Sequence, residues 1–203
     1  SILSIDVGAG GNGGDIAVAT QYDSMNRSHK VWSPVPVSGS GEFVTSADIA
    51  SSASSFYGDA YAFAETDYEA STRELVSAET RAGQAWHTNA KSVTRYYFTN
   101  DNSARYSCRK YSVTATEALT LVGNYAPGEL VVNETTDEDN HVVIEFADRR
   151  GNKILTRRIV NSSTYADCYY VYDNFGDLRY VLPPMLSMAL STVGDSWTIA
   201  TDN

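Results

Sequence analysis

The residues best placed to do chemistry in this chain begin with a glycine loop. Gly8-Ala-Gly10-Gly-Asn-Gly13 follows a strand-like run and has the G-x-G-x-x-G spacing that lets backbone approach a pyrophosphate. That chemistry needs a helix next, with its N-terminus aimed at the phosphates. Asp15-Ile-Ala-Val-Ala-Thr-Gln-Tyr22 is β-patterned instead, so the loop reads as a hairpin connection that holds no cofactor. The overlapping Gly10-Gly-Asn-Gly-Gly-Asp15 opens like a calcium β-roll nonapeptide. That motif works through stacked copies, and Ala17 stands at its bulky apolar position.

Asp137-Glu138-Asp139-Asn140 could invite a hard cation, but it lacks the glycine and the distant bidentate glutamate of an EF-hand loop. It reads as a polar turn. His29, His87 and His141 are scattered, with no Ser, Cys or metal-ligand partner at a recognisable spacing, and neither Gly-x-Ser-x-Gly nor His-Glu-x-x-His occurs. Cys108 and Cys168 lack the Cys-x-x-Cys spacing of a metal site. They are either a long-loop disulfide, nominally worth ~4 kcal/mol, or two buried free thiols. A glycosidase pair of carboxylates depends on the fold and not on spacing along the chain. Asn-x-Ser/Thr triplets at Asn26, Asn133 and Asn161 carry no weight, because polar turns produce them freely. No residue is therefore assigned to catalysis, to a cofactor or to a metal.

Lys and Arg number 15 against 25 Asp and Glu, a net charge of −10. Nucleic-acid binding needs a basic face, so this balance argues against it. The one basic cluster, Arg149, Arg150, Lys153, Arg157 and Arg158, is flanked by carboxylates and reads as a solvated strand face. No apolar run approaches the ~20 residues that span a bilayer as a helix. The chain opens directly on strand-like sequence with no basic leader segment, and reads as a mature product or an excised piece of something longer.

Positioning falls to strands. Short runs at 3–7, 15–22, 29–37, 61–70, 75–79, 93–99, 104–114, 130–136, 142–146, 153–159 and 168–172 predict an all-β fold of successive antiparallel hairpins. A short helical insert is expected at about 43–55, with Phe43, Ala47, Ala50 and Ser54 on one face. Trp86 to Asn89 reads as an irregular connector, and Met185 to Leu190 as one or two helical turns after Pro183-Pro184. At 203 residues the chain reads as one domain with a C-terminal tail at 185–203.

Between the strand runs, Asp-x-x-(Gly/Asn) recurs at Asp23/Asn26, Asp137/Asn140, Asp148/Gly151 and Asp173/Gly176. The Asp starts a turn by accepting backbone N–H groups, and Gly or Asn supplies the positive φ that brings the chain back. The best formed copy is Tyr169-Tyr-Val-Tyr-Asp-Asn-Phe-Gly-Asp-Leu-Arg-Tyr-Val-Leu-Pro-Pro184. On these residues the chain resembles the RHS/YD-repeat proteins, in particular the large exported ones of Bacteroidetes-type bacteria. Tyr172, Asp173 and Gly176 fit a YD unit, with Asp177 where Arg is usual. Tyr22, Asp23 and Arg27 match in a second unit, with Asn26 replacing Gly, and Asp148 and Gly151 hold the spacing of a third.

The resemblance implies a sheet wound from successive hairpins, the material of toxin-carrying shells and cell-surface stalks. It also implies a secreted or surface location within a far longer parent. Adjacent repeats of that parent would be the partners, with a surface glycan or protein as a further one. In some relatives an aspartate-bearing core segment cleaves the chain and releases a toxin; no such segment is found in this sequence, so the likeness carries over turn residues and no catalytic residue. The expected role is a non-catalytic structural or interaction module. A carbohydrate-binding module, from the richness in tyrosine and tryptophan, and a glycoside-active enzyme are the alternatives.

Overall fold

A computed structural model describes residues 2–6, 8, 14–38, 43–191 and 197–199, and the chain divides into two compact units. The first comprises Ser1–Thr94 with Asp137–Asp139, the second Arg95–Thr136 with Asn140–Asn203. Both are built of antiparallel strands, as the patterning predicts. Gly10 and Gly13 of the glycine loop lie outside the described residues.

In the first unit the strands β1 (Ile2–Asp6), β2 (Asp15–Tyr22), β3 (Ser28–Trp32), β4 (Val35–Val37), β5 (Phe63–Tyr68), β6 (Val76–Thr80) and the start of β7 (Ser92–Thr99) appear in chain order. They pair as β1-β2-β3-β5-β6-β7, and β4 also pairs with β2. Side chains of β2 alternate in burial, with Ala17 and Ala19 inward, as a half-buried strand requires. These small residues make room for helix α1 (Ser46–Tyr57), whose Ile49 and Ala53 complete a core with Trp32, Val35 and Phe63.

Helix α1 starts on a capping box. Thr45 Oγ1 accepts from the Asp48 N–H at 3.2 Å, and Asp48 Oδ2 accepts from the Thr45 N–H at 3.1 Å. It ends at Gly58, with φ 65°. The helix lies where it is expected, but its buried face is Ile49 and Ala53, and Phe43 is exposed. Of the expected Phe43-Ala47-Ala50-Ser54 face, Ala50 packs against this core, while Phe43 lies before the Thr45 cap and outside the helix. A second short helix, α2 (Gln84–Thr88), replaces the irregular connector expected there.

The second unit holds β8 (Arg109–Val113), β9 (Leu119–Asn124), β10 (Val131–Thr136), β11 (Val142–Ala147), β12 (Lys153–Asn161), β13 (Thr164–Tyr172), β14 (Leu178–Leu182), helix α3 (Pro184–Ser191) and β15 (Trp197–Ile199). One run pairs as β10-β11-β12-β13-β14, and a three-stranded sheet pairs as β15-β9-β8. Phe146, Ile144, Leu155, Val132, Leu121 and Leu182 lie in its core.

Two strand expectations change here. Residues 104–107 are turn and coil where a strand is expected, because the carbonyls of Ala104, Arg105 and Ser107 accept from the Arg157 guanidinium instead of a strand partner. Leu119–Asn124 is a strand that the sequence runs omit; Gly123, at φ 134°, interrupts its pattern.

Candidate functional site

The repeated turns share one atomic plan. At Asp23, the backbone closes through Asp23 N–H to Arg27 O (2.9 Å) and Asn26 N–H to Asp23 O (3.1 Å). Oδ1 of Asp23 accepts the N–H groups of Met25 and Arg27, at 2.8 and 2.9 Å. Asp148 repeats this with the N–H groups of Arg150 and Asn152, and Asp173 with those of Phe175 and Asp177. The fourth residue has positive φ in each: 61° at Asn26, 86° at Gly151 and 94° at Gly176. At the Asp137/Asn140 turn, Oδ1 of Asp137 accepts the Asp139 N–H and Asn140 has φ 64°.

The second carboxylate oxygen is also engaged. Oδ2 of Asp23 accepts from Arg27 Nε at 2.7 Å, and that of Asp148 from Asn152 Nδ2 at 3.0 Å. At the third turn Asp177 occupies the place of Arg27 and has no N–H to offer from its side chain. Arg179, two residues on, fills the role with Nε 3.0 Å from Asp173 Oδ2. Each of the three hairpins then skips one residue in its pairing: Gln21↔Lys30 is followed by Tyr22↔Ser28, Phe146↔Leu155 by Ala147↔Lys153, and Val171↔Tyr180 by Tyr172↔Leu178. Such bulges sharpen local twist.

A further copy carries no Asp. Thr114 N–H donates to Ala118 O, Glu117 N–H to Thr114 O, and Thr114 Oγ1 accepts the Ala118 N–H at 3.0 Å. Glu117 there has φ 61°, a conformation that costs a non-glycine residue ~1–2 kcal/mol. Glu117→Gly is expected to stabilise the protein by about 1 kcal/mol, since the ion pair it removes, to Arg179, is exposed and worth little. Equilibrium urea unfolding checks this.

Hydrogen bonds set the acidity of two turn carboxyls. The Arg27 backbone N–H above all, and the Arg27 side chain with it, holds the Asp23 carboxyl below the usual range. The Asp177 N–H does the same at Asp173, helped by Phe175 N–H and the Arg179 charge. Because the folded-state values are depressed, the stability these groups add is complete above the ordinary Asp range, about 4. It is lost as pH falls through the lower folded values. Asp173→Asn is therefore expected to flatten the acid limb of a melting-temperature profile and leave the slope near neutral pH unchanged.

The structure brings Asp148, Tyr172, Asp173 and Gly176 together around a concavity of ≈ 130 Å³, with Tyr111 and Tyr125 on its wall. Burial pushes the Tyr125 phenol up to about 12, so it stays protonated near neutral pH. Tyr22, Asp23, Asn26 and Arg27 belong to the first unit. There Arg27 Nη1 donates to the carbonyls of Glu69 and Ser71, tying the β2–β3 turn to the β5–β6 loop.

A second cleft of the second unit, ≈ 350 Å³, has a buried ion pair in its wall. Arg157 Nε and Nη2 reach the two oxygens of Asp167 at 2.8 and 2.7 Å, a bidentate pair between directly opposed residues of β12 and β13. Nη1 donates to three carbonyls of the 104–107 loop. Arg157 is thus buried, which corrects its place in a solvated basic face. Burial works against its charge, and hydrogen bonds and attraction from Asp167 more than offset this, so its pKa is raised. Cys108 lies in the same core, its thiol pushed up by burial and held inert. Cys108 and Cys168 are both free thiols. Cys108 feels the charges of Arg157 and Asp167, while strand alternation turns Cys168 away from Asp167 and Tyr169.

Among the described residues, one cluster with metal-ligand chemistry has no counterpart in the sequence motifs. His29 Nε2 is 3.1 Å from Glu65 Oε1, and Nδ1 is 3.1 Å from Thr66 O and 3.6 Å from Asp67 Oδ1. One donor atom from each of His29, Glu65 and Asp67 falls within 4.8 Å of the others. Both ring nitrogens already face acceptors, and Lys30 Nζ sits 3.2 Å from Glu65 Oε1. The cluster is an ion-pair network in which a metal would have to displace both an imidazole hydrogen bond and an ammonium. Glu65 and Asp67, two apart on β5, share a face by alternation, a signal present in the sequence. The approach of His29 depends on the long-range pairing of β3 with β5, which has no local signal.

Against known proteins, residues 1–99 match a family model described as a domain of unknown function, DUF6443. No curated protein matches the chain.

Proposed function

We propose that this chain is a non-catalytic structural and interaction module of a large exported or cell-surface protein of RHS/YD type, with adjacent repeats of the same parent as its neighbours. One observation carries the reading. In all three YD-like turns the carboxylate is fully engaged, one oxygen on two backbone N–H groups and the other on a side chain of the same hairpin. An acid or nucleophile needs a free oxygen or a shared proton; these carboxylates instead fix where each hairpin folds back. The positions that most resemble the repeat motif are thus the ones that set backbone geometry.

An antibody raised against this chain tests the proposal on the source cells. The expected result is a band far above 22.1 kDa that protease removes from intact cells. A band at the mass of the isolated chain, protected until lysis, would contradict it.

A further inference from the structure

We propose that the concavity beside Trp86 in the first unit is a saccharide-binding site. This goes beyond the architectural role of the turns and does not depend on it. The concavity measures ≈ 440 Å³, within the ~300–1,000 Å³ of small-ligand sites. Trp86 lines it, ringed by Arg81, Asn89, Lys91, Glu138 and Asp139.

The backbone that carries Trp86 is fixed on both sides. Its main-chain N–H donates to Gly83 O at 3.1 Å, and its main-chain carbonyl accepts from the Lys91 N–H at 2.9 Å. Ahead of it, Gln84 N–H donates to Asp59 Oδ2 at 2.7 Å, and this bond is the main reason that the Asp59 carboxyl sits below its usual range. Gly83 before the helix has φ 118°, a conformation that glycine adopts freely, and it leaves the indole Cδ1 no closer than ordinary contact with a Cβ built there, 3.4 Å. The indole is half-buried, and the exposed Arg81 guanidinium lies over one face of the ring, 5.3 Å from its centroid, so a sugar stacked on that face takes the place of a side chain that swings out into solvent. An aromatic on a backbone held in this way presents apolar area with little main-chain ordering cost on binding.

The rim explains the ligand class. Arg81 pairs with Glu138 at 3.2 Å and Lys91 with Asp139 at 3.0 Å, and in each pair one partner is mostly exposed. Exposed pairs contribute little and rearrange readily, so their oxygens and nitrogens are open to new partners. A purely apolar ligand would leave this polar ring unmatched, and a polyanion would meet two carboxylates. A sugar ring has an apolar C–H face for the indole and edge hydroxyls that both donate and accept, which fits an aromatic platform inside a ring of amide, carboxylate and cationic groups.

The test uses the full chain with chitohexaose, cellohexaose, laminarihexaose and an array of bacterial surface glycans as probes. At least one should bind, Trp86→Ala should weaken that binding by about tenfold or more, and Trp86→Tyr should recover part of it. Failure of every probe to bind, or wild-type affinity in Trp86→Ala, would overturn the proposal. If Trp86→Ala does not fold, the exposed Asn89→Ala decides instead: weakened binding supports the site and unchanged binding refutes it.

Discussion

Replacing Asp167 by Ala is expected to destabilise the second unit by about 3–5 kcal/mol, the cost of leaving a buried charge without its partner. The Arg157 side chain is 5 % exposed, so water cannot replace the carboxylate. Arg157→Ala should cost a similar amount for two reasons: it strands Asp167, and it removes the donor shared by the carbonyls of Ala104, Arg105 and Ser107. Because the two substitutions break one interaction, the double variant should lose clearly less than the sum of the single losses. Urea unfolding of the four proteins supplies the cycle. Additive losses would mean that the pair is not a unit.

Gly176→Val is expected to cost roughly 1–3 kcal/mol through the backbone alone. No atom lies within 4 Å of a Cβ built on Gly176, so the substitution meets no steric clash; the penalty comes from φ 94°, which a β-branched residue resists. Gly151→Val should behave alike, since its surroundings are equally open and its φ is 86°. Asn26→Gly, at the matching place in the first unit, should change little, because Asn already tolerates φ 61° there. Three turns with one plan should thus respond by residue type and not by location. An unchanged melting temperature in Gly176→Val would remove the turn assignment.

The turns were legible in the sequence because their chemistry is local. Asp173 and Gly176 need only each other and the intervening backbone, and four residues of spacing record that need. The Asp-to-Thr replacement at Thr114 hid a further copy, since its register is held by a hydroxyl and its positive φ falls on Glu117, where composition gives no warning. Arg157 was misread for a related reason. Its charge and the carboxylates flanking its cluster point to solvent, whereas alternation along β12 puts it on the buried face of Leu155, where the carbonyls of the 104–107 loop and Asp167 receive its guanidinium. His29 and Glu65 lie 36 positions apart, and their meeting depends on the pairing of β3 with β5, which no short motif encodes. The all-β class followed from alternation over many segments, whereas α2, five residues long, was too short to leave a helical period.

Amide hydrogen exchange at the repeated turns tests most directly the claim that their carboxylates hold backbone. In the wild-type chain the amides of Arg150, Asn152, Phe175 and Asp177 should be protected relative to their exposed neighbours. Asp173→Ala should abolish protection at Phe175 and Asp177 and leave Arg150 and Asn152 unchanged. Equal exchange at Phe175 and Asp177 with and without the Asp173 carboxylate would contradict the account.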